Sequence, residues 1–366
     1  MTAHSIGFSI LLYTSENQTE HTYMKSIIIQ APGVVEIVER EKPEPKKGEA
    51  LLEILYGGIC GSDLGSYNGT FAYFSYPRTP GHEFSARIES IGTNDRGLHE
   101  GMVITCNPYF NCTHCYSCNH GLVNACMDNQ TMGVQREGAF SEYITMPIDR
   151  IIDGKGLAPH LLALIEPFCI SHHGVKRGNV GPNDTVLIVG AGTIGMLAAF
   201  SAKSKGAQVY IADIAKPKLA YAQELGVVDG VILNTSKEVF DERVKEITNG
   251  NGFDVCIEAV GLPSTFLNCI DAACYGGRVV QVGVGKRNAD FNFTLIQKKE
   301  LNIYGSRNAL TEDFKELIDV VLDQKISLER IITNTYSYLD AAKAFKDFSQ
   351  SNGSMLKVEL DFTQVK

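Results

Sequence analysis

The second half of the chain alternates short apolar strands with helical stretches, and this alternation constrains the fold more than any other feature. Strands are predicted at residues 185–189, 208–212, 230–233, 254–259 and 277–282, and helices at residues 194–205, 217–225, 238–248 and 264–273. Parallel strands need a crossover between them, which a helix normally supplies. The pattern therefore predicts an α/β fold with a doubly wound parallel sheet that helices cover on both faces.

The residues on either side of this segment follow another pattern. Residues 24–150 contain short β-branched runs broken by glycine and proline, which is typical of a small, irregular β domain. Two amphipathic helices are predicted at residues 312–323 and 339–349, followed by a strand at residues 355–361. At 366 residues the chain is long enough for two domains.

Composition and charge exclude several classes of protein. The net charge of −9 argues against a surface for nucleic acid or for anionic membranes. No apolar run approaches the roughly 20 residues of a membrane helix. The apolar stretch at residues 6–12 follows no Lys or Arg and precedes no small-residue cleavage site, so a cytoplasmic protein is predicted. We expect residues 1–23 to be a poorly ordered N-terminal extension, with Met24 as the alternative start.

Four of the ten cysteines are predicted to bind a structural zinc ion. Cys112, Cys115, Cys118 and Cys126 offer four soft thiolates, and gaps of two residues allow a tight turn to direct successive sulfur atoms at one ion. Two local disulfides are the alternative, but the sequence carries no export signal that would favour them. Four protein ligands close the coordination sphere, so this ion would stabilise the lobe at residues 106–127 rather than catalyse.

A glycine-rich turn follows the first strand of the alternating segment. Gly190, Gly192 and Gly195 are spaced as G-x-G-x-x-G. The predicted helix begins at Thr193 and Ile194, which lie between the last two glycines. Glycines with this spacing permit the turn, the approach of a pyrophosphate to the backbone and close packing of helix on strand. The free N–H groups of the helix start favour an anion. The sequence therefore predicts a dinucleotide site.

An acidic residue at the end of the next strand favours NAD. Asp213 can bind the ribose hydroxyls of the adenosine half and would repel a 2′-phosphate, although Lys216 and Lys218 keep NADP as an alternative. Val282 and Gly283 end a later strand, at the sheet edge where such cofactors lie. A turn that holds no ligand is the alternative, and the agreement of strand, helix and acid argues against it.

Three further segments offer ligands for a second, catalytic metal ion. Cys60 stands in a glycine-flanked turn, His82 precedes Glu83, and Glu166 precedes a proline at the change of pattern. A thiolate, an imidazole and carboxylates make an open zinc site that leaves a position for water or substrate. Each residue alone is ordinary, because single buried cysteines usually pack as apolar groups and single histidines usually form structural hydrogen bonds.

Together, and in this order, these motifs resemble those of the zinc-dependent medium-chain dehydrogenases. The resemblance extends from about Met24 to Lys366 and rests on residues 58–63, residues 81–83, the four-cysteine lobe, Glu166-Pro167 and residues 190–195. It implies a GroES-like catalytic domain, residues 24–165 and 308–366, split around a Rossmann NAD-binding domain at residues 166–307. The active site would lie in the cleft between the two domains.

The resemblance also implies two zinc ions per chain and a route for the proton. The implied ligands of the catalytic zinc are Cys60, His82 and either Glu83 or Glu166, which can exchange, one binding directly and one through water. Ser62 would take the proton of the substrate hydroxyl before a hydride passes to NAD. Relatives carry a histidine about five residues after the cysteine ligand, whereas this chain has Gly65, so the proton leaves by the ribose, by water or by a carboxylate.

Two segments bear on the substrate, a small hydroxylated molecule. Glutamate after the histidine and at the third ligand position is typical of polyol and sugar dehydrogenases. Residues 133–140 and 305–308 resemble bacterial sugar-acid dehydrogenases that act on L-gulonate, L-galactonate or L-idonate. Arg307 could pair with a substrate carboxylate, or equally with an internal acid or the cofactor. A sugar acid is therefore the predicted substrate, with a neutral polyol, as in sorbitol or threonine dehydrogenases, as the alternative.

Two other classes of protein remain to be distinguished. A zinc-free reductase of the same superfamily would not need Cys60, His82 and Glu166 together. A non-catalytic protein that binds NAD and zinc would not need the metal ligands and Ser62 together, and only a turnover assay would exclude this class. The resemblance further implies a homodimer or homotetramer, formed by edge-to-edge pairing of strands around residues 277–284.

Overall fold

The computed structural model describes residues 23–324 and 327–364, so the predicted extension at residues 1–23 lies, apart from Tyr23, outside the described residues. The strands are β1 (Tyr23–Ala31), β2 (Val34–Glu41), β3 (Glu49–Ile59), β4 (Glu83–Ile91), β5 (Val103–Cys106), β6 (Tyr109–Phe110), β7 (Gln130–Thr131), β8 (Tyr143–Pro147), β9 (Ile151–Asp153), β10 (Thr185–Val189), β11 (Gln208–Asp213), β12 (Gly230–Leu233), β13 (Phe253–Glu258), β14 (Ala273–Gln281), β15 (Asn302–Gly305), β16 (Ile332–Ser337) and β17 (Lys357–Asp361). The helices are α1 (Gly61–Tyr67), α2 (Tyr116–Asn119), α3 (Pro159–Ala163), α4 (Ile165–Arg177), α5 (Thr193–Ser204), α6 (Lys216–Glu224), α7 (Lys237–Ile247), α8 (Pro263–Ala272), α9 (Thr294–Lys299), α10 (Thr311–Gln324) and α11 (Ala341–Gln350).

A parallel sheet in the order β12-β11-β10-β13-β14-β15 forms the second half of the chain. The central strand β10 is apolar along its length because both faces are covered: Val186 and Ile188 belong to one core cluster, and Leu187 and Val189 to another. The strand order reverses between β10 and β13, which opens a crevice at their carboxyl ends. The predicted α/β class with a doubly wound sheet is confirmed.

The edges of this sheet are β12 and β15, and β15 is a strand that the sequence pattern does not predict. β14 pairs with β13 on one side and with β15 on the other, so both rows of its backbone groups are used. The predicted edge-to-edge pairing of two chains through residues 277–284 is therefore wrong. β15 escapes prediction because it has only four residues, one of them Asn302. The expected homodimer or homotetramer stays a prediction.

A second, mixed sheet combines strands from both ends of the chain. Its order is β16-β17-β3-β4-β5-β9, and β8 pairs with β3 as well. β17 alternates two kinds of residue: Val358 and Leu360 pack in the apolar core, whereas Lys357, Glu359 and Asp361 carry ionisable groups and are also buried. This sheet forms the predicted β-rich half of the molecule, while the exact boundaries at residues 165 and 308 stay a prediction.

Helix α4 joins the two sheets and is likewise absent from the sequence-based expectations. Pro167 is tolerated because it lies in the first turn, where backbone N–H groups have no helical partner. The buried side chains of His172 and His173 interrupt the apolar periodicity, and each finds a polar partner on another helix. Within the described residues no helix is long and apolar enough to span a membrane.

Candidate active site

Three of the predicted ligands meet where β3 ends and β4 begins. Cys60 follows β3 and caps α1, and His82 immediately precedes Glu83, the first residue of β4. The ligand atoms of these three side chains all lie within 4.8 Å of one another. Gly58 of β3 stands opposite Glu83, and a Cβ at Gly58 would lie 2.3 Å from Glu83 Oε2. A glycine is therefore needed at position 58 to leave room for the carboxylate.

Asp63 fixes the turn that carries the cysteine. Its Oδ2 accepts a hydrogen bond from the backbone N–H of Cys60 at 3.0 Å, and its Oδ1 accepts one from Gly81 N–H at 3.4 Å. The carboxylate thus ties the Cys60 turn to the segment that precedes His82. Ser62 lies half-buried in the first turn of the same helix, two residues after Cys60.

The polar atoms of this cluster suit a metal ion. His82 Nδ1 and Glu83 Oε1 are buried and have no hydrogen-bond partner among the described residues. Burial alone would lower the pKa of His82, but the negative charges of Cys60 and Asp63 outweigh it and raise that pKa well above its ordinary value. A cluster that draws a proton onto its imidazole in this way has the charge that a divalent cation would balance.

A buried lysine that the sequence analysis missed holds one oxygen of Glu83. Lys357 Nζ lies 2.5 Å from Glu83 Oε2 and also donates to the carbonyl of Ile59 at 3.2 Å. The two charged side chains are 3% and 1% exposed. Because charges so deeply buried need partners, Lys357 neutralises Glu83 and leaves Oε1 as its free oxygen.

The other candidate carboxylate, Glu166, lies in the first turn of α4. It is buried, and its Oε1 accepts a hydrogen bond from the hydroxyl of Tyr109. It does not belong to the group of ligand atoms within 4.8 Å, but its charge contributes to the raised pKa of His82. Burial raises the pKa of Glu166 itself to about 7. The structure thus places Glu166 beside the cluster of Cys60, His82 and Glu83 rather than within it.

The four cysteines of the lobe come together as predicted. The Sγ atoms of Cys112, Cys115, Cys118 and Cys126 lie within 4.8 Å of one another, and every cysteine among the described residues is free. Backbone N–H groups of Cys118 and Met127 lower the pKa of Cys115 to about 6, which favours its thiolate. This arrangement fits the four-thiolate zinc site and does not contain the alternative disulfides.

Arg307 lies against this lobe. Its guanidinium Nη1 donates to the carbonyl of Cys126 at 3.0 Å. Asn124 donates to the carbonyl of Arg307 at 2.9 Å, and Asn308 donates to the carbonyl of Asn124 at 3.3 Å. These bonds tie the lobe to the segment after β15, and the expected contact of Arg307 with a substrate stays a prediction.

The glycine-rich turn has the tight geometry that its sequence predicts. Gly190 has a φ of +111°, and a Cβ at Gly195 would lie 1.8 Å from the carbonyl oxygen of Gly190. Gly192 caps α5, which begins at Thr193 and Ile194. The hydroxyl of Thr193 donates to the carbonyl of Leu356 at 2.6 Å, so the turn also contacts the residue that precedes Lys357.

Asp213 ends β11 next to this turn. Its Oδ2 accepts from the backbone N–H of Ala191 at 2.7 Å, and its Oδ1 accepts from Ala215 N–H at 2.9 Å. Both bonds hold the carboxylate beside the glycine-rich turn. Its expected contact with a ribose stays a prediction.

Glu258, at the carboxyl end of β13, is a second acid of this sheet edge and was not foreseen. It is fully buried and accepts backbone hydrogen bonds from Val260 and Gly261 and a side-chain bond from Thr265. A Cβ at Gly283 would lie 2.5 Å from its Oε2, so Glu258 supports the segment that follows Val282. In the sequence, the only sign of this role is a single glutamate near the end of a predicted strand.

Known proteins are similar to this chain over most of its length. Two sequence profiles match: "Alcohol dehydrogenase GroES-like domain" over residues 46–155, and "Zinc-binding dehydrogenase" over residues 193–323. L-galactonate-5-dehydrogenase of Escherichia coli K12 is 34% identical over 339 residues, which cover 93% of this chain and 99% of that protein. Sorbitol dehydrogenase of Halalkalibacterium halodurans is 29% identical over 344 residues, with coverage of 92% and 99%.

A solved structure shows the same architecture. The Escherichia coli CFT073 protein described as a short chain alcohol dehydrogenase, RspB, complexed with NADH, superimposes with a TM-score of 0.85 at 32% identity and covers 93% of this chain and 100% of its own. The GroES-like and Rossmann-like parts are thereby confirmed. The chain therefore belongs to the zinc-dependent medium-chain dehydrogenases, within their polyol and sugar-type members, and is an oxidoreductase that acts on a CH–OH group with zinc and a nicotinamide cofactor.

Proposed function

We propose that this protein oxidises a secondary hydroxyl of a sugar acid, such as L-galactonate or L-gulonate, and passes the hydride to NAD. The observation that carries the proposal is the buried cluster of Cys60, His82 and Glu83, with Glu166 beside it. The similarity to an L-galactonate-5-dehydrogenase over almost the whole chain supports a sugar acid as the substrate.

The residues of the cluster divide the work between holding a metal and moving a proton. Cys60 and His82 would hold zinc together with Glu83 or Glu166. When bound, this ion supplies a Lewis acid that lowers the pKa of a substrate hydroxyl. Ser62, two residues from Cys60, accepts the proton of that hydroxyl and passes its own proton on towards solvent.

The parallel sheet positions the cofactor. The turn at Gly190–Gly195 offers its N–H groups to a pyrophosphate. The carboxylate of Asp213, fixed by its two backbone bonds, would accept the ribose hydroxyls and repel a 2′-phosphate, which favours NAD over NADP. Val282 and Gly283 follow β14 at the same edge of the sheet, where the nicotinamide half would lie.

A substrate panel with an arginine variant tests the proposal. The panel contains C5 and C6 aldonates, the matching polyols, sugar phosphates and simple secondary alcohols, with NAD or NADP. We expect turnover of one aldonate with NAD, and Arg307→Ala to raise the KM for this substrate about tenfold while kcat stays within about twofold, since a lost charge-assisted pair weakens binding by about 1.5–3 kcal/mol. Initial rates of NADH formation give both constants.

The control separates binding of the substrate from support of the lobe. Asn308→Ala removes a neighbouring contact to the same lobe without removing a charge, so we expect it to leave the KM for the aldonate unchanged. An equal rise of KM in Asn308→Ala and Arg307→Ala would assign Arg307 to the lobe alone. Turnover of neutral polyols with no effect of Arg307→Ala would contradict the sugar-acid proposal.

A neutral polyol is the second candidate substrate. The similarity to a sorbitol dehydrogenase favours it, as does the hydrogen bond that already engages the Arg307 guanidinium with the Cys126 carbonyl. A polyol needs no cation in the site, because its hydroxyls can be bound by neutral donors and acceptors. The same panel distinguishes the two substrates by which compound gives the higher kcat/KM.

A further inference from the structure

Tyr109 connects the cysteine lobe to the catalytic carboxylate Glu166. It lies in the short strand β6, three residues before Cys112, and is 5% exposed. Its hydroxyl donates a hydrogen bond to Glu166 Oε1, across a separation of 57 residues in sequence. The tyrosine hydroxyl is therefore hydrogen-bonded to one of the two carboxylate oxygens of Glu166, a predicted metal ligand.

The backbone of Tyr109 is fixed on both sides. Its N–H donates to Asn107 Oδ1 at 3.0 Å, and its carbonyl accepts from Arg150 Nη1 at 2.5 Å. The amide of Asn107 in turn donates to the hydroxyl of Thr311 at 2.9 Å. With its backbone held in this way and its ring buried, the side chain has little freedom to leave Glu166.

The two candidate carboxylates differ in the charge of their partners. Glu83 Oε2 faces the cationic Nζ of Lys357 at 2.5 Å, whereas Glu166 Oε1 faces a neutral phenol. A carboxylate in a buried ion pair is already neutralised and would have to share its negative charge with a metal ion. Glu166 accepts a neutral hydrogen bond and, among the described residues, has no cationic side chain in contact to compensate its carboxylate, so it is the better ligand for a dication.

We propose that Tyr109 is a positioning residue that limits Glu166 to one free oxygen. Glu166 then binds the zinc ion through a single oxygen, together with Cys60 and His82, and the fourth position stays open for the substrate. Without the hydroxyl, both oxygens of Glu166 could bind the ion and close that position. The inference rests on the proposed zinc site, and it identifies Tyr109 as the residue that keeps the fourth position open.

Tyr109→Phe in the full-length protein tests this inference, with Co²⁺ in place of zinc at the catalytic site. Four-coordinate Co²⁺ absorbs visible light more strongly than five-coordinate Co²⁺. We expect the variant to lose at least about half of the wild-type absorbance per bound ion, and its kcat/KM to fall about tenfold. An unchanged spectrum in a variant that binds Co²⁺ stoichiometrically would overturn the inference.

Tyr338→Phe is the matched control. Tyr338 is fully buried and donates to Glu142 Oε1 at 2.6 Å, so the variant removes the same kind of tyrosine–glutamate bond from a pair that contains neither Glu83 nor Glu166. We expect its Co²⁺ spectrum to match that of the wild type. An equal loss of absorbance in both variants would show a general effect of lost stability and would overturn the role of Tyr109.

A second pair of variants tests the choice of ligand without changing the tyrosine. We expect Glu166→Gln to weaken Co²⁺ binding at the catalytic site at least about tenfold, and Glu83→Gln to weaken it clearly less, both measured by competition with a chromophoric chelator. The reverse result would overturn the inference. Failure of the wild type to bind any ion beyond the one in the cysteine lobe would overturn the proposed function instead.

Discussion

Glu359 is fully buried on β17, opposite Gly58 of β3, and neither of its carboxylate oxygens has a hydrogen-bond partner among the described residues. It stands two residues from Lys357, whose ammonium group contacts Glu83. Burial raises the pKa of Glu359 to about 8. When Glu359 is protonated and therefore neutral, the positive charge of Lys357 is paired with Glu83. The charges beside the metal ligands are then balanced.

The raised pKa predicts that Glu359→Gln stabilises the protein at high pH. The folded-state pKa lies above the ordinary value, so the folded protein holds a proton that the unfolded chain loses, and stability falls as pH rises between about 4.5 and 8. The neutral amide removes this loss. We expect the free energy of unfolding to rise by about 4–5 kcal/mol at pH 8.5 and to be unchanged near pH 4.5.

Urea unfolding at several pH values measures this effect. The control is Glu246→Gln, which removes a carboxylate that is 68% exposed and paired with Arg243 at the surface. This control should show no gain that grows with pH. A gain from Glu359→Gln that is the same at pH 4.5 and 8.5 would argue against a buried neutral carboxyl.

The sequence predicts the site residues that lie close together along the chain. It misses the site residues whose partners are distant in sequence. The four cysteines of the lobe lie within one loop, so their spacing alone indicates a metal. Tyr109 and Lys357 reach their carboxylates across 57 and 274 residues, and no local pattern marks either contact. Glu166 was a candidate ligand from the sequence, whereas its separation from the tight cluster required the structure.

At the scale of elements, α4 and α10 are joined by a buried charge cluster. Asp313 of α10 is fully buried and accepts from His173 Nδ1 at 3.0 Å and from Lys176 Nζ at 2.8 Å. Lys176 also contacts Glu316 at 2.9 Å. Burial opposes ionisation of Asp313, but the hydrogen bonds from His173 and Lys176 outweigh it and lower its pKa to about 2.

This cluster predicts a loss of stability in acid. The folded-state pKa of Asp313 lies below its ordinary value, so its contribution is complete above about pH 4 and disappears as pH falls towards 2. We expect Asp313→Asn to lower the free energy of unfolding at pH 7 by about 2 kcal/mol and to remove much of the acid-dependent loss. Asp319→Asn, at an exposed ion pair of the same helix, should change stability by less than about 0.5 kcal/mol.

Chemical unfolding at pH 7, 4 and 3 measures both variants. A wild-type protein as stable at pH 3 as at pH 7 would contradict this role of Asp313. The same cluster explains why the sequence did not predict α4: its polar histidines are buried against partners on other helices, so the apolar periodicity of the helix is broken where the packing is polar. The strands β10 to β14 of the parallel sheet, whose buried residues are mostly apolar, were predicted within a few residues, whereas β15 was not.

At the scale of the whole molecule, the cysteine lobe is fastened to the segment after β15. Asn124 and Cys126 of the lobe exchange hydrogen bonds with Arg307 and Asn308. Asn124 also contacts His173 Nε2 at 3.2 Å, which extends the connection to α4 and the Asp313 cluster. The lobe therefore joins the β-rich half of the chain to the half that carries the cofactor turn.

Loss of the lobe's metal should thus weaken the whole molecule. We expect Cys115→Ser to reduce the zinc content from two ions per chain to one and to lower the Tm by about 5–10 °C, because a metal-bound loop with little apolar core folds on its ion. Elemental analysis and differential scanning calorimetry measure the two effects. Cys274→Ser, at a half-buried thiol outside the lobe, should keep both ions, and equal losses in the two variants would refute the lobe's role.

The position of β17 between β16 and β3 has a consequence for how the protein is made. Residues 358–361 pair with residues 56–59, the same strand gives Lys357 to Glu83, and the carbonyl of Leu356 just before it accepts from Thr193. A growing chain therefore leaves one side of β3 without its neighbour for some 300 residues of synthesis. The strands of the parallel sheet end at residue 305 and can pair before then, whereas Glu83 gains its cationic partner only after translation has passed residue 357.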